Sequence, residues 1–160
     1  MEPLFTTETA YTLDEFKKFD FRVMRKSIIS IYIMLAAIIL LDAVLALLKK
    51  DWAGINTAII IAVAFIAVYF PFSLDKKVKD TYNSNKTITK TVARIEFFED
   101  GFTEATDHST YNFKYSDLNS VIETQTNFYL MIAKNQGVII VKENCSAELI
   151  EFIQKLKNDK

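Results

Sequence analysis

Two long apolar segments dominate the first half of the chain. The first covers residues 27–48 and the second residues 52–74, with only Lys49, Lys50 and Asp51 between them. Each is about as long as the roughly 20-residue helix that crosses the hydrocarbon core of a bilayer. Neither shows the regular polar positions that mark the solvent-facing side of an amphipathic helix. The pattern therefore predicts a hairpin of two transmembrane helices, residues 27–74.

The polar residues on either side of this hairpin carry secondary-structure signals of their own. Residues 1–26 predict a strand at Phe5–Tyr11 and then a juxtamembrane helix that continues into the first span. Thr12 and Glu15 have the spacing of a capping box, in which Thr12 caps the helix and Glu15 reaches back to it. Residues 75–90 predict a polar connector whose first part prolongs the second helix. Pro71 predicts that the second span ends or kinks there.

From residue 91 onward apolar and polar positions alternate, which is typical of half-buried strands. We predict strands at 91–99, 102–106, 109–115, 121–125, 128–133 and 137–142, with hairpin turns at 99–101 and 134–137. An amphipathic helix follows at 146–157, with Ser146 as its N-cap. The pattern predicts an α+β membrane protein whose residues 91–160 form a small antiparallel β barrel or sandwich, pleckstrin-homology-like (PH-like), capped by the C-terminal helix.

The distribution of basic residues predicts the orientation in the membrane. They collect before the first span and after the second, whereas the turn holds only Lys49 and Lys50. Because cytoplasmic flanks carry the excess of Lys and Arg, we expect a multi-pass protein of the cell membrane with both termini in the cytoplasm. Near anionic headgroups each such residue contributes about 1 kcal/mol. The residues expected to face the headgroups are Arg22, Arg25, Lys26, Lys76, Lys77 and Lys79.

Asp42 is the one acidic residue inside the first predicted span. A carboxylate at the centre of a span costs about 2.5–3.5 kcal/mol on insertion scales, and less near an end. Folding the hairpin at residues 49–51 brings Asn56 to nearly the same depth. We therefore expect an intramembrane polar pair, Asp42 and Asn56, that clips the helices together, or an Asp42 side chain that reaches the outer headgroups. A proton or ion site is the alternative, but no further intramembrane charge supports it.

Small residues recur along the second span. They lie at Gly54, Ala58 and Ala62, a spacing of four that places them on one helix stripe. Such a stripe lets two helix backbones approach closely. It predicts tight packing either within the hairpin or between copies of the chain. A homo-oligomer is therefore one of the two alternatives.

The order of these parts resembles the YcxB-like proteins, a family of small bacterial membrane proteins. The resemblance lies in residues 11–16, in the two-span hairpin, and in the C-terminal segments IEFFEDGF, YNFKYSDLNSVIE, NFYLMI and GVIIVK with the closing helix. It implies a PH-like domain anchored at the cytoplasmic side of a bacterial inner membrane. It implies no catalytic residues.

Few residues of the sequence suggest a catalytic, cofactor-binding or metal-binding site. One cysteine, one histidine and three glycines exclude an intrachain disulfide, a multi-ligand zinc site and a glycine-rich phosphate loop within this sequence. Asp107, His108 and Ser109 are triad residue types, but neighbours in a chain point in different directions. We expect no catalytic residue, cofactor or metal, and thus no enzyme. The acidic residues around the first hairpin are interpreted as solvated, and they are Glu96, Glu99, Asp100 and Glu104.

Three functional hypotheses follow. The leading one is an interaction or scaffold module that presents the PH-like domain to another protein at the cytoplasmic face of the bilayer. The alternative is an accessory or regulatory subunit of a membrane complex that acts through its hairpin. A membrane-bound enzyme or transporter is less favoured, since two spans enclose a path only in an oligomer. A net charge of −1 argues against a nucleic-acid partner.

Overall fold

The computed structural model describes residues 2–49, 57–85, 89 and 91–159. Two short 3₁₀ turns lie at Tyr115–Asp117 and Lys142–Asn144. The remaining elements, in chain order, are β1 (Phe5–Ala10), α1 (Leu13–Lys49), α2 (Thr57–Ser84), β2 (Val92–Phe97), β3 (Gly101–Ala105), β4 (Thr110–Lys114), β5 (Ser120–Glu123), β6 (Asn127–Ala133), β7 (Gln136–Val141) and α3 (Ala147–Asn158).

The strands form two antiparallel sheets. One has four strands in the order β1-β2-β3-β4, and the other has three in the order β5-β6-β7. β1 pairs with β2 along its full length, from Phe5 opposite Phe97 to Ala10 opposite Val92. The two long helices are therefore inserted between the first two strands of a β domain, and the N-terminal strand belongs to that domain.

The sheets do not close into the predicted barrel. β1 lies beside β7, but hydrogen bonds between side chains and the backbone join it to β7 and to the 3₁₀ turn that follows, in place of a strand ladder. The Val141 N–H donates to Thr9 Oγ1 at 3.4 Å, and the Thr7 hydroxyl donates to the Asn144 carbonyl at 2.9 Å. On the other side, β4 and β5 are separated by the 3₁₀ turn and belong to different sheets. The fold of the described residues is thus α+β with two open sheets.

One hydrophobic core joins both sheets to α3. The N-cap predicted for α3 is confirmed, because the Ser146 hydroxyl accepts the Leu149 N–H at 3.2 Å. The apolar face of the helix buries Leu149 and Ile153, as its amphipathic pattern predicts. The buried members of this core are Ile95, Phe97, Phe102, Leu118, Val121, Phe128, Leu130, Val138, Ile140, Leu149 and Ile153.

The three-stranded sheet is buried on both faces. Phe128 and Leu130 of β6 point into the core with α3, whereas Tyr129 and Met131 pack against Phe19 of α1 on the opposite face. Successive strand residues point to opposite faces, so both faces need apolar side chains. The alternation predicted from residue 91 onward is therefore wrong for β6 and β7, which are continuous apolar runs because both of their faces are buried.

α1 is a single helix of 37 residues, which confirms the predicted continuation of the juxtamembrane helix into the apolar segment. Of the two alternatives predicted at Pro71, an end of the helix is wrong, because α2 continues through it to Ser84, and the predicted prolongation into the connector is confirmed. Proline cannot bond the carbonyl four residues earlier, here that of Ala67. The Tyr32 hydroxyl of α1 donates to that carbonyl at 3.1 Å. A contact between the helices thus replaces the bond that Pro71 removes.

Within the described residues, one helix is long and apolar enough to cross a membrane, Leu13–Leu48. Only 11% of its most apolar window is buried. The finding is based on helix length and composition alone. Core helices of soluble proteins and signal sequences meet the same two criteria. The second predicted span, 52–74, begins outside the described residues. The criterion therefore supports one candidate span and not the predicted two-span hairpin.

Candidate functional site

The junction between α1 and the β domain is the best-defined site of the described structure. The Phe19 ring meets the Tyr129 ring edge-on, with 5.3 Å between centroids and 76° between planes. Phe19 is 6% exposed, although it lies only six residues from the start of α1. An aromatic pair of this geometry contributes about 0.5–1.5 kcal/mol beyond the area it buries. The contact fixes the first turns of α1 against the three-stranded sheet.

Hydrogen bonds and an ion pair strengthen this junction at the start of α1. The Glu15 N–H donates to Thr12 Oγ1 at 3.2 Å, so the predicted N-cap is confirmed. The second predicted bond of the capping box, in which the Glu15 carboxylate accepts the Thr12 N–H, is wrong. One oxygen of the Glu15 carboxylate accepts a hydrogen bond from Nδ2 of the fully buried Asn127 on β6, and the other pairs with Lys18 at 2.7 Å. Glu15 therefore links the helix to the sheet and does not cap it.

A cleft of about 460 Å³ opens beside this junction. We call it the α1 cleft, because it lies between the start of α1, strands β3 and β4, and the β6–β7 turn. Its walls include the rings of Tyr11, Phe19 and Tyr111, and two carboxyl groups, those of Asp20 and Glu104, line it. The described lining residues include no lysine, arginine or histidine. The cleft thus combines aromatic surface with negative charge.

Glu104 and Tyr11 are coupled at the wall of the α1 cleft. The Tyr11 hydroxyl donates a hydrogen bond to Oε1 of Glu104. Burial raises the pKa of Glu104, and the bond from Tyr11 offsets part of that rise. Burial, followed by the charge of Glu104, raises the pKa of Tyr11 well above its usual value. The Tyr11 hydroxyl therefore keeps its proton and remains a donor. The interpretation of Glu104 as a solvated carboxylate is wrong.

Comparison with known proteins finds a family similarity for part of the chain. Residues 97–157 match the family model described as YcxB-like protein. The resemblance seen in the sequence is thereby confirmed for this segment, which runs from the last residue of β2 almost to the end of α3. The other two parts of the resemblance, the N-terminal segment and the hairpin, lie outside the match and stay predictions. No curated protein and no solved structure matches the chain.

A second polar cluster, inside the YcxB-like segment, was missed in the sequence. The Glu123 carboxylate on β5 accepts hydrogen bonds from Lys142 at 2.8 Å, Lys157 at 2.9 Å and Gln154 at 3.0 Å. These three donors lower the pKa of Glu123 to about 2. The cluster joins β5 to the end of β7 and to α3. No spacing in the sequence indicates it, since its members come from three separate elements.

The predicted headgroup-facing residues lie outside the YcxB-like segment. Arg25, Lys26, Lys76, Lys77 and Lys79 are exposed, and Arg22 is half-buried. The Asp75 carboxylate forms ion pairs with Lys17 of α1 and, at 2.8 Å, with Lys79 of α2. Hydrogen bonds from these two lysines lower the pKa of Asp75. The charge of Lys79 is therefore shared with Asp75, whereas the contact with Lys17 joins the two helices.

The structure describes only some of the residues predicted to lie inside the hairpin. Asp42 is half-buried on α1. Asn56 and Gly54 lie outside the described residues, so the polar pair of Asp42 and Asn56 stays a prediction. Ala62 is exposed on α2, and the side chain of Ala58 is also outside the described part. The packing stripe is likewise a prediction.

Proposed function

We propose that the chain is a membrane-anchored module that holds a PH-like domain in a fixed orientation at the cytoplasmic face of a bacterial membrane and presents it to another protein. The observation that carries this proposal is the continuity of α1, which runs unbroken from the Phe19 contact into the apolar segment. A helix rises about 1.5 Å per residue and transmits its orientation along its length. With this geometry the domain is held by a rigid helix and not by a flexible linker.

The strand arrangement supports the PH-like part of the proposal. A four-stranded and a three-stranded antiparallel sheet share one core with a C-terminal helix. This is the plan expected of a PH-like domain, with α1 and α2 as an insertion after the first strand. The match of residues 97–157 to the YcxB-like model is consistent with it.

The exposed apolar surface supports a bilayer location for both helices, and the basic flanks of the two apolar segments favour both termini in the cytoplasm. Soluble monomers rarely expose contiguous apolar patches of more than a few hundred Å². Several large apolar side chains of α1 and α2 are more than 60% exposed, among them Ile33, Leu40, Leu48, Phe65, Val68 and Phe72. Contact with acyl chains would remove this surface from water.

The outer edge of the four-stranded sheet is the surface we assign to the partner. β4 is the last strand of that sheet, and most of its residues are exposed. The Thr106 N–H bonds the Ser109 carbonyl, and the Tyr115 N–H bonds the Asp100 carbonyl. The alternation of an antiparallel ladder then directs the N–H groups of residues 110, 112 and 114 outward. An extended segment of another protein can add to such an edge as a further strand.

Affinity capture with crosslinking from native bacterial membranes tests the proposal. The bait is the full chain, compared with a chain in which residues 27–74 are replaced by an unrelated two-helix anchor. We expect both to capture the same protein, and Asn112→Pro to lose it because proline has no N–H for a partner strand. A partner that is lost only on anchor replacement would favour the accessory-subunit hypothesis. Capture that Asn112→Pro leaves unchanged would contradict the role of β4.

A further inference from the structure

Among the residues that the structure describes, no lysine, arginine or histidine lines the α1 cleft to balance its negative charge. Asp20 is half-buried and makes no hydrogen bond or ion pair with a described residue. The one described hydrogen-bond partner of the Glu104 carboxylate is the Tyr11 hydroxyl, which is neutral. Removing carboxylates from water is costly unless a positive charge or hydrogen-bond donors compensate them. A cation entering the cleft would provide that compensation.

The aromatic side chains of the cleft favour an organic cation over a hydrated metal ion. Phe16 and Phe19 of α1 line one wall, and Tyr111 of β4 lines another. Tyr111 is 54% exposed, so its ring remains accessible in the folded chain. Aromatic faces attract ammonium groups and also contact apolar carbon. No described group of three or more metal-ligating side chains is present.

We propose that the α1 cleft is a binding site for a protonated organic amine with an aromatic or apolar body. The ammonium group lies at Asp20 and Glu104, and the body packs against the rings of Phe16, Phe19 and Tyr111. The cleft volume of about 460 Å³ is within the usual range for small-molecule pockets, roughly 300–1,000 Å³. An anionic ligand is disfavoured, since the described lining holds no basic residue.

Such a ligand would contact the anchor helix and both sheets at once. Asp20 belongs to α1, Glu104 to β3 and Gln136 to β7. Binding would therefore stabilise the junction of α1 with the β domain. This inference goes beyond the proposed function, since a membrane-anchored interaction module requires no small ligand.

Isothermal titration calorimetry on the full chain in nanodiscs tests the inference with two probes. The probes are 2-phenylethylammonium and 2-phenylethanol, which have the same ring and differ in the charged group. We expect saturable binding of the ammonium and at least about tenfold weaker binding of the alcohol, the loss typical of a charge-assisted contact. Asp20→Asn should weaken ammonium binding by about tenfold, and Tyr111→Ala by several-fold.

Glu99→Gln is the matched control. Glu99 is an exposed carboxylate of the β2–β3 turn and does not line the cleft, so this variant should bind like the original chain. Asp20 makes no hydrogen bond or ion pair with a described residue and Tyr111 is exposed, so both test variants should fold. The inference is overturned if the ammonium shows no saturable binding, if the alcohol binds equally well, or if both variants bind unchanged.

Discussion

The hydroxyl of Tyr32 on α1 donates a hydrogen bond to the backbone carbonyl of Ala67 on α2, at 3.1 Å. Ala67 is the residue whose carbonyl Pro71 leaves without a helical donor. In a protein interior or a bilayer an unsatisfied backbone group is destabilising, and neighbouring helices commonly satisfy the group that a proline frees. This bond joins α2 to α1 and gives the Ala67 carbonyl a donor within a helix that continues to Ser84.

Replacing Tyr32 tests that relationship. Tyr32→Phe should lower the stability of the helix pair by about 1 kcal/mol, because the Ala67 carbonyl loses its donor. In a Pro71→Ala background the loss should be smaller, since the helix then provides its own N–H. The measurement is a double-mutant cycle by denaturation in mixed micelles. Tyr69→Phe is the control, as the Tyr69 hydroxyl makes no hydrogen bond to a described residue. An equal loss in both backgrounds would refute the replacement role.

Glu123 should make the β domain sensitive to acid. Its pKa is lowered to about 2 in the folded chain, whereas the usual value is about 4.3. A lowered pKa contributes stability that is fully present above the usual value and is lost as the pH falls towards the folded value. Glu123→Gln should therefore cost about 2 kcal/mol at neutral pH, with the difference shrinking between about pH 5 and pH 2.

Denaturant unfolding followed by circular dichroism at several pH values measures this difference. Glu99→Gln is again the control, since Glu99 is exposed at a turn. A cost for Glu123→Gln that stays constant from pH 7 to pH 2 would exclude the role assigned to the three donors.

Tyr11 should stabilise the folded chain most at pH values at which the Glu104 carboxylate is ionised. Burial raises the pKa of Glu104, and the Tyr11 hydroxyl donates to its carboxylate. Tyr11→Phe removes that donor and should cost about 1–2 kcal/mol at pH 8, and less at pH 5, where more of the carboxyl group is protonated. The free energy of unfolding at the two pH values measures it. Tyr111→Phe is the matched control, and a pH-independent cost would count against the coupling.

Local signals in the sequence predict the C-terminal half well. The strand predicted at 102–106 is β3 at Gly101–Ala105, and the helix predicted at 146–157 is α3 at Ala147–Asn158. Alternation, a glycine turn and an N-cap serine are determined by nearby residues, so they can be identified without tertiary information. The same holds for the N-cap at Thr12.

Contacts between distant residues account for what the sequence does not predict. β1 pairs with β2 across both helices, and no local pattern encodes that register. The ends of the sheets decide whether a barrel closes, and here side-chain bonds of Thr7 and Thr9 take the place of a ladder. The Glu15 carboxylate bonds Asn127 and not its own helix start, because the sheet lies within reach. The α1 cleft likewise exists only once four elements have come together.

We propose that α1 is held rigidly against the three-stranded sheet, so that the anchor fixes the orientation of the β domain. Spin labels at Lys26 on α1 and Lys155 on α3, both exposed, measure this by double electron–electron resonance in nanodiscs, with Cys145→Ser removing the lone thiol. We expect one narrow distance distribution that broadens markedly with Phe19→Ala. A broad distribution in the chain that retains Phe19, or one that Phe19→Ala leaves unchanged, would contradict the claim.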